Sequence, residues 1–271
     1  MPLISLPASE QALARSLLAR AIAFNTKPVP PDALSLRVGE KRIGLLMPST
    51  LKQIQSTDLS RWFVLDSDGI NFVPTTDLNT ALAQCARRFH DAGFFFQWRN
   101  EKLDIRCQDT QQTVAQAERG LFRYFGLPTA CVYAVGLTDD NRIFMSRRSL
   151  NKQVDPGLWD ALAAGLIASG ENPEQALRRE ILEEAGLSAS DYDLLGTWRH
   201  FRVCRPVEEG WMHEEAFCLN VRVNNPDAVH NIDGEVSDIE LVEPSQLLAR
   251  IEAQMVPWDT AIAFLTALVE S

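Results

Sequence analysis

Three carboxylates, Glu180, Glu183 and Glu184, stand in the run R-R-E-I-L-E-E-A-G-L at residues 178–187. Positions i, i+3 and i+4 share one face of a helix, so the spacing predicts a cluster of negative charge. Like charges so placed cost a helix up to roughly 0.5 kcal/mol per pair, a penalty that a hard divalent cation removes. An all-oxygen donor set favours Mg2+, with Mn2+ able to substitute, over zinc, which would more usually recruit His or Cys. Mg2+ keeps waters and bridges to substrate phosphates, so the chemistry implied is metal-assisted attack on a phosphate anhydride.

The cluster exists only if the segment is helical, and its ends are well signalled. Asn172 suits the N-cap, Pro173 the first helical position, Gln175 completes a capping box, and Gly186 supplies a left-handed stop. The signals predict a helix over Pro173–Ala185, with Leu177, Ile181, Leu182 and Ala185 as the apolar stripe that binds a core.

An isolated E-x-x-E-E would be read as a solvated acidic face. Here the surrounding spacing is more specific. Gly165, Glu171, Arg179, Glu180, Ile181, Glu183, Glu184, Gly186 and Leu187 occupy every defined position of G-x5-E-x7-R-E-U-x-E-E-x-G-U, with U apolar, so residues 165–187 resemble a Nudix box. The resemblance implies a loop-helix-loop in an α/β/α sandwich with a mixed sheet, binding Mg2+ and hydrolysing a diphosphate. It implies Glu180, Glu183 and Glu184 as metal ligands, the Ala164 carbonyl as a further one, and Glu171 with Arg179 as the pair bracing the loop against the helix. A further carboxylate must orient the attacking water. Glu235 is the first candidate and Glu214 or Glu215 the next, each equally readable as an exposed acid. His213-Glu214-Glu215-Ala216-Phe217 lacks the second histidine of a zinc-protease H-E-x-x-H.

Alternation and turn residues predict strands at 129–136, 142–146, 192–202, 216–223 and 236–242, and helices at 244–253 and 259–270. A complete Nudix unit therefore fits into residues 127–271. The chain of 271 residues, 46% of them hydrophobic, can furnish two cores, and residues 1–126 read as a smaller α+β domain. In it we expect helices at 9–24 and 77–92, short strands at 34–38 and 42–46, and a stiff Pro28-Val29-Pro30-Pro31 connection. No low-complexity linker separates the halves, so a packed boundary is expected near 125–128.

A narrower likeness comes from F-Q-W-R-N-E-K-L-D-I-R (96–106), G-L-P-T-A-C-V-Y-A-V-G (126–136), S-R-R-S-L-N-K-Q-V-D-P-G-L-W-D (146–160) and C-R-P-V-E-E-G-W-M-H-E-E-A-F (204–217). Together they resemble Nudix proteins related to the domain fused to thiamine pyrophosphokinase in some fungi, strongest over 98–235 and weaker before Ala81. The resemblance implies cleavage of thiamine diphosphate, or its oxo and oxy forms, to the monophosphate and phosphate. On this reading Arg147, Arg148 and Lys152 hold the diphosphate, Trp98 stacks on the heteroaromatic ring, and Arg99 and Glu101 line the pocket beside it. The alternative is that Trp98 belongs to the core and Arg99 pairs with Glu101. Trp159 stands where relatives often carry a smaller residue before the aspartate, a departure from the family pattern next to Asp160. The box leaves the organic group open, so an ADP-ribose, nucleotide-sugar or dinucleotide pyrophosphatase is the second reading, and a non-catalytic nucleotide sensor the third.

A net charge of −10 and a pI near 5.0 disfavour nonspecific nucleic-acid binding. No apolar run approaches the length of a membrane span and no leader pattern is present, so a cytoplasmic protein acting on a small-molecule diphosphate is expected, with a homodimer as a possible assembly. Cys85, Cys107, Cys131, Cys204 and Cys218 are odd in number and lack C-x-x-C spacing, which favours reduced thiols.

Overall fold

The computed structural model describes residues 4, 6–95, 98–152, 154–232 and 234–269. Phe96, Gln97 and Gln153 of the quoted motifs, and Glu270 at the end of an expected helix, lie outside them. No described helix is long and apolar enough to cross a membrane.

The chain opens with helix α1 (Ala8–Asn25), followed by β1 (Leu34–Val38), β2 (Lys41–Leu46), α2 (Pro48–Gln55), β3 (Phe63–Asp66), β4 (Gly69–Phe72) and α3 (Leu78–Asp91). A hairpin of β5 (Lys102–Arg106) and β6 (Thr113–Glu118) completes this part. The four strands β1 to β4 form a sheet of order β2-β1-β4-β3. Asp77 caps α3 by accepting the Thr80 N–H at 3.0 Å. Ala81, Leu82, Cys85, Ala86 and Phe89 are the helix's buried stripe, and they share a core with Leu36, Ile43, Phe72 and Phe125.

The second part contains β7 (Thr129–Leu137), β8 (Ile143–Arg148), β9 (Trp159–Asp160), β10 (Ala163–Leu166), α4 (Pro173–Ala185), β11 (Tyr192–Val207), β12 (Gly210–Val223), β13 (Val236–Val242), α5 (Pro244–Glu252) and α6 (Trp258–Val269). Its mixed sheet runs β11-β12-β7-β8-β13, with β10 beside β7, β9 beside β8, and β12 parallel to β7. Strand β7 is buried on both faces. Cys131, Tyr133, Val135 and Leu137 enter the core beneath α5 and α6, while Val132 and Ala134 enter the core beneath α4. Helices thus cover both sides of the sheet in an α/β/α sandwich.

Helix α1 departs from the expected division of the chain. Its Ala14, Leu17 and Ala21 pack into the core of α6 and β7, and the Lys27 N–H donates to the Cys204 carbonyl of β11 at 2.7 Å. A helix's apolar stripe says that it has a core but not which one. Strands β11 and β12 also extend well past the expected 192–202 and 216–223, because Arg202, Arg205, Glu214 and Glu215 interrupt the apolar alternation without interrupting the ladder. The two parts meet through Arg99, the Trp211 N–H donating to the Arg123 carbonyl at 3.0 Å, and Ser169, which donates to Asp104 at 2.6 Å.

Candidate active site

Helix α4 starts where its caps require. Asn172 Oδ1 accepts the Gln175 N–H and Gln175 Oε1 accepts the Asn172 N–H, both at 2.9 Å, and Gly186 closes the helix at φ 68°. Arg179 is the hub between helix and preceding loop. Its Nε and Nη2 donate to both oxygens of Glu171 at 2.8 and 2.9 Å, Nη2 also donates to the Leu166 carbonyl at 3.0 Å, and Nη1 donates to Glu180 at 2.6 Å and Glu183 at 3.2 Å. The Arg179 hydrogen bonds hold the Glu171 carboxyl below its ordinary range, and Glu171 in turn accepts the Ala168 N–H at 3.0 Å.

Gly165 of β10 lies against Glu180 so closely that a Cβ would stand 2.0 Å from Glu180 Oε1. The missing side chain is the space the carboxylate occupies. Burial pushes the Glu180 carboxyl up despite Arg179. Glu184 is deeper, and burial pushes it up to about 8 against the opposing pull of Lys152 and of the Ala164 N–H, which donates to it at 2.9 Å. Lys152 Nζ bridges Glu184, at 3.4 Å, and Glu235. Burial would raise Glu235, but the Lys152 hydrogen bond and the charges of Lys152 and Arg99 outweigh it and hold the carboxyl below normal.

The box borders a cavity of about 410 Å³ bounded by both parts of the chain. Arg148, Lys152, Ala164, Gly165, Arg179, Glu180, Glu183 and Glu235 line it from the box side, and Phe95, Arg99, Glu101, Arg119 and Arg123 from the amino-terminal side. The wall also includes Thr129, Cys131, Tyr133, Asp160, Trp211, Glu214 and Asp259. Glu214 accepts the Thr129 hydroxyl at 3.0 Å, and Asp160 accepts Arg148 at 2.6 Å and the Thr260 hydroxyl at 2.8 Å. Burial, with the charges of Glu214 and Asp160, pushes Asp259 up to about 6.

Several expected residues fall elsewhere. Trp98 is not in the cavity wall: Arg87 lies 4.4 Å above its ring, and His90 and Phe95 pack on it at 5.7 and 6.4 Å. Arg147 alternates with Arg148 along β8 and is exposed, donating to the Gly157 carbonyl at 3.1 Å. Glu215 points out of the site to His200 and Arg202, alternating likewise with Glu214. Arg99 and Glu101 do not pair with each other. Arg99 approaches Glu235 at 3.9 Å, and Glu101 accepts Arg119 at 2.6 Å.

The three helix acids share a face, yet among the described residues no three His, Cys, Asp or Glu side chains form a ready metal cage. Arg179 separates Glu180 from Glu183, and Glu184 turns to Ala164 and Lys152. The donor set nevertheless fits a hard divalent cation. It consists of oxygen, and two of its carboxyls bear a burial cost that a cation would offset. Sequence reasoning missed Asp259, Arg119 and Thr129. No spacing links them to the box; only the strand order and the packing of the two parts do.

Residues 127–261 match the NUDIX domain. The box lies inside that match, so residues 127–261 form a NUDIX domain. It is 35% identical over 89 residues to an uncharacterized Nudix hydrolase of Streptomyces coelicolor, covering 33% of this chain and 49% of that protein. It is 25% identical over 182 residues to the chloroplastic Nudix hydrolase 20 of Arabidopsis thaliana, covering 65% and 48%. That alignment is longer than residues 127–271, so the likeness enters the amino-terminal part. An isopentenyl-diphosphate Delta-isomerase of Leifsonia xyli is 28% identical over 146 residues, covering 54% and 77%. The chain spans about half the length of the Streptomyces and Arabidopsis relatives.

Proposed function

We propose that the protein is a cytoplasmic, Mg2+-dependent pyrophosphohydrolase cleaving thiamine diphosphate, or its oxidised oxo and oxy forms, to the monophosphate and phosphate by attack of water on phosphorus. The observation that carries the reading is one cavity with two acidic regions: the box carboxylates, and Glu214 with Asp259 beside Tyr133 and Trp211. A diphosphate attached to a cationic heteroaromatic ring needs cation-assisted charge neutralisation at one end and negative charge with aromatic surface at the other. A neutral adenine has no comparable use for the second region. The fungal likeness of 126–136, 146–160 and 204–217 supports the same substrate.

Glu180, Glu183, Glu184 and the Ala164 carbonyl would hold the metal. Mg2+ bound there, or Mn2+ in its place, would neutralise diphosphate charge and stabilise the leaving oxygen. Glu171 and Arg179 keep the β10 loop and helix α4 in register, and Arg148 and Lys152 contribute positive charge beside the phosphates. Glu235, held in its charged form by Lys152, orients the attacking water, with Glu214 as the second candidate for that role in the same cavity.

The test is a panel of thiamine diphosphate, its oxo and oxy derivatives, ADP-ribose, nucleotide sugars and dinucleotides, incubated with Mg2+ and assayed for phosphate and monophosphate. Efficient ADP-ribose cleavage without turnover of any thiamine compound would transfer the assignment to the nucleotide pyrophosphatases. Isoprenoid diphosphates belong in the panel because of the isomerase relatives: isomerisation without phosphate release would replace hydrolysis altogether. Binding without turnover of any compound would favour the sensor reading.

A further inference from the structure

The cavity's cations are unequally available to a substrate. Arg179 is committed to Glu171, Glu180, Glu183 and the Leu166 carbonyl. Arg148 is committed to Asp160 and the Val154 carbonyl, and Lys152 lies between Glu184 and Glu235. Arg147, which the sequence offers as a phosphate ligand, is outside the cavity. The less committed cations come from the amino-terminal part. The Arg99 guanidinium stops 3.9 Å from Glu235, beyond hydrogen-bond length, and Arg119 directs Nη1 to Glu101 at 2.6 Å.

Both backbones are held while the guanidinium groups reach the cavity. The Arg99 N–H donates to Glu118, which is 5% exposed, at 3.0 Å, and the Arg119 N–H donates to the Glu101 carbonyl at 3.0 Å. Next to Arg119, a Cβ on Gly120 would meet the Phe95 ring at 2.8 Å, so this turn is seated directly on the aromatic core. Both arginines also act electrostatically on the Glu235 carboxyl. Both line the cavity that Glu235 and Lys152 also line, with Arg99 the one that stands against Glu235.

We propose that Arg99 and Arg119 form an anion clamp that grips the terminal phosphate of the diphosphate, so that the amino-terminal part completes the active site. The proposal deepens the hydrolase reading and rests on it for the identity of the ligand. Planar guanidinium groups match phosphate oxygens two at a time. The half-exposed Arg119–Glu101 pair gives up little when a doubly charged phosphate replaces the carboxylate.

Calorimetric binding of methylenediphosphonate, which cannot be hydrolysed at its bridge, tests the clamp independently of turnover. Arg99→Ala and Arg119→Ala are each expected to weaken binding about tenfold or more, with Arg119→Lys in between because it keeps the charge and loses the fork. Glu101→Gln should leave binding unchanged or tighten it, since it removes the competing carboxylate. Arg142→Ala, in the exposed β7–β8 turn, is the control and should bind as wild type. In turnover assays the arginine losses should appear in KM, with kcat within about threefold of wild type. Wild-type diphosphonate affinity in folded Arg99→Ala and Arg119→Ala would overturn the proposal. So would weakening by Glu101→Gln equal to that by Arg119→Ala, which would make the pair structural. A protein that binds diphosphonate through these arginines but hydrolyses nothing would refute the hydrolase reading alone.

Discussion

Gly165→Ala isolates the geometry of the box from its chemistry, because it adds one methyl and removes no charge. Gly165 is absent from the residues with positive φ, so alanine meets no backbone objection in β10. Its Cβ would lie 2.0 Å from Glu180 Oε1, 2.1 Å from Cδ and 2.5 Å from Oε2, all at the far end of a flexible side chain. The carboxylate must retreat by roughly 1.4 Å to reach ordinary contact at 3.4 Å. That retreat endangers the 2.6 Å hydrogen bond from Arg179, while Glu171 and Leu166 still hold the guanidinium. The stability lost is about 1 kcal/mol, a shift of roughly 2–4 °C in Tm. The rate is far more sensitive, since a misplacement of about 1 Å in a reacting constellation costs about 100-fold. The assay is phosphate release at saturating substrate and Mg2+, beside a thermal melt. Combining the change with Glu180→Asp, one methylene shorter, should restore part of the rate by relieving the contact. A folded Gly165→Ala enzyme with a rate within about threefold of wild type would refute the claim that the Glu180 position is critical.

Glu183→Gln should lower the metal-dependent rate by about 100-fold or more with the fold retained; an unchanged rate removes this residue from the metal site. Trp98→Ala should cost about 2 kcal/mol through lost packing on Arg87, His90 and Phe95 while leaving KM unchanged, and a raised KM would return the ring to the substrate pocket. Glu184, at about 8 in the fold against 4.5 ordinarily, keeps a proton that the unfolded chain releases. Its contribution is fully present below about pH 4.5 and is lost as pH rises through 8, by up to a few kcal/mol. Melts in chelator should therefore show stability declining over that window, Glu184→Gln should flatten the decline, and equal slopes in the two proteins would exclude Glu184 as its source. Glu171, held low by Arg179, has the opposite sign. Its contribution is present above about pH 4.5 and fades as pH falls, so the acid limb should weaken in Glu171→Gln and persist unchanged if the brace is unimportant.

The loop-helix geometry of the box was legible because its information is local. Caps at Asn172 and Gly186, the i, i+3, i+4 acids and the Glu171–Arg179 pair all lie within one loop and one helix, where spacing determines direction. Strand β13 was legible over its whole length for the same reason, as alternation bounded by turn residues. What failed was non-local. Strands β9 and β10 are two and four residues long and carry no usable period, yet they place Asp160, Ala164 and Gly165. Arg147 and Arg148 look equivalent in sequence, and only the phase of β8 sends one outward and the other to Asp160. The same parity separates Glu214 from Glu215 on β12. Trp98 and Arg99 sit together near Glu101, but the packing of two cores decides which of them reaches the cavity.

Charge pairing connects stability at this site to its specificity. Three acids on one helical face would repel, and the protein answers with its own cations: Arg179 between Glu180 and Glu183, Lys152 between Glu184 and Glu235. The pairings run on into the amino-terminal part, where Arg99 faces Glu235 and Arg119 faces Glu101. In the other direction Glu184 feels Asp160, and Asp160 and Glu214 act on Asp259. The cavity wall therefore carries both signs of charge, Arg99 and Arg119 with the cations of the box on one hand and the box acids with Glu214 and Asp259 on the other. On the proposed function, a terminal phosphate would belong with the arginines and a positively charged organic group with Glu214 and Asp259. On that proposal the chemistry of the box would be common to diphosphates in general, and the charged groups around it would favour a compound with one free phosphate and one cationic ring.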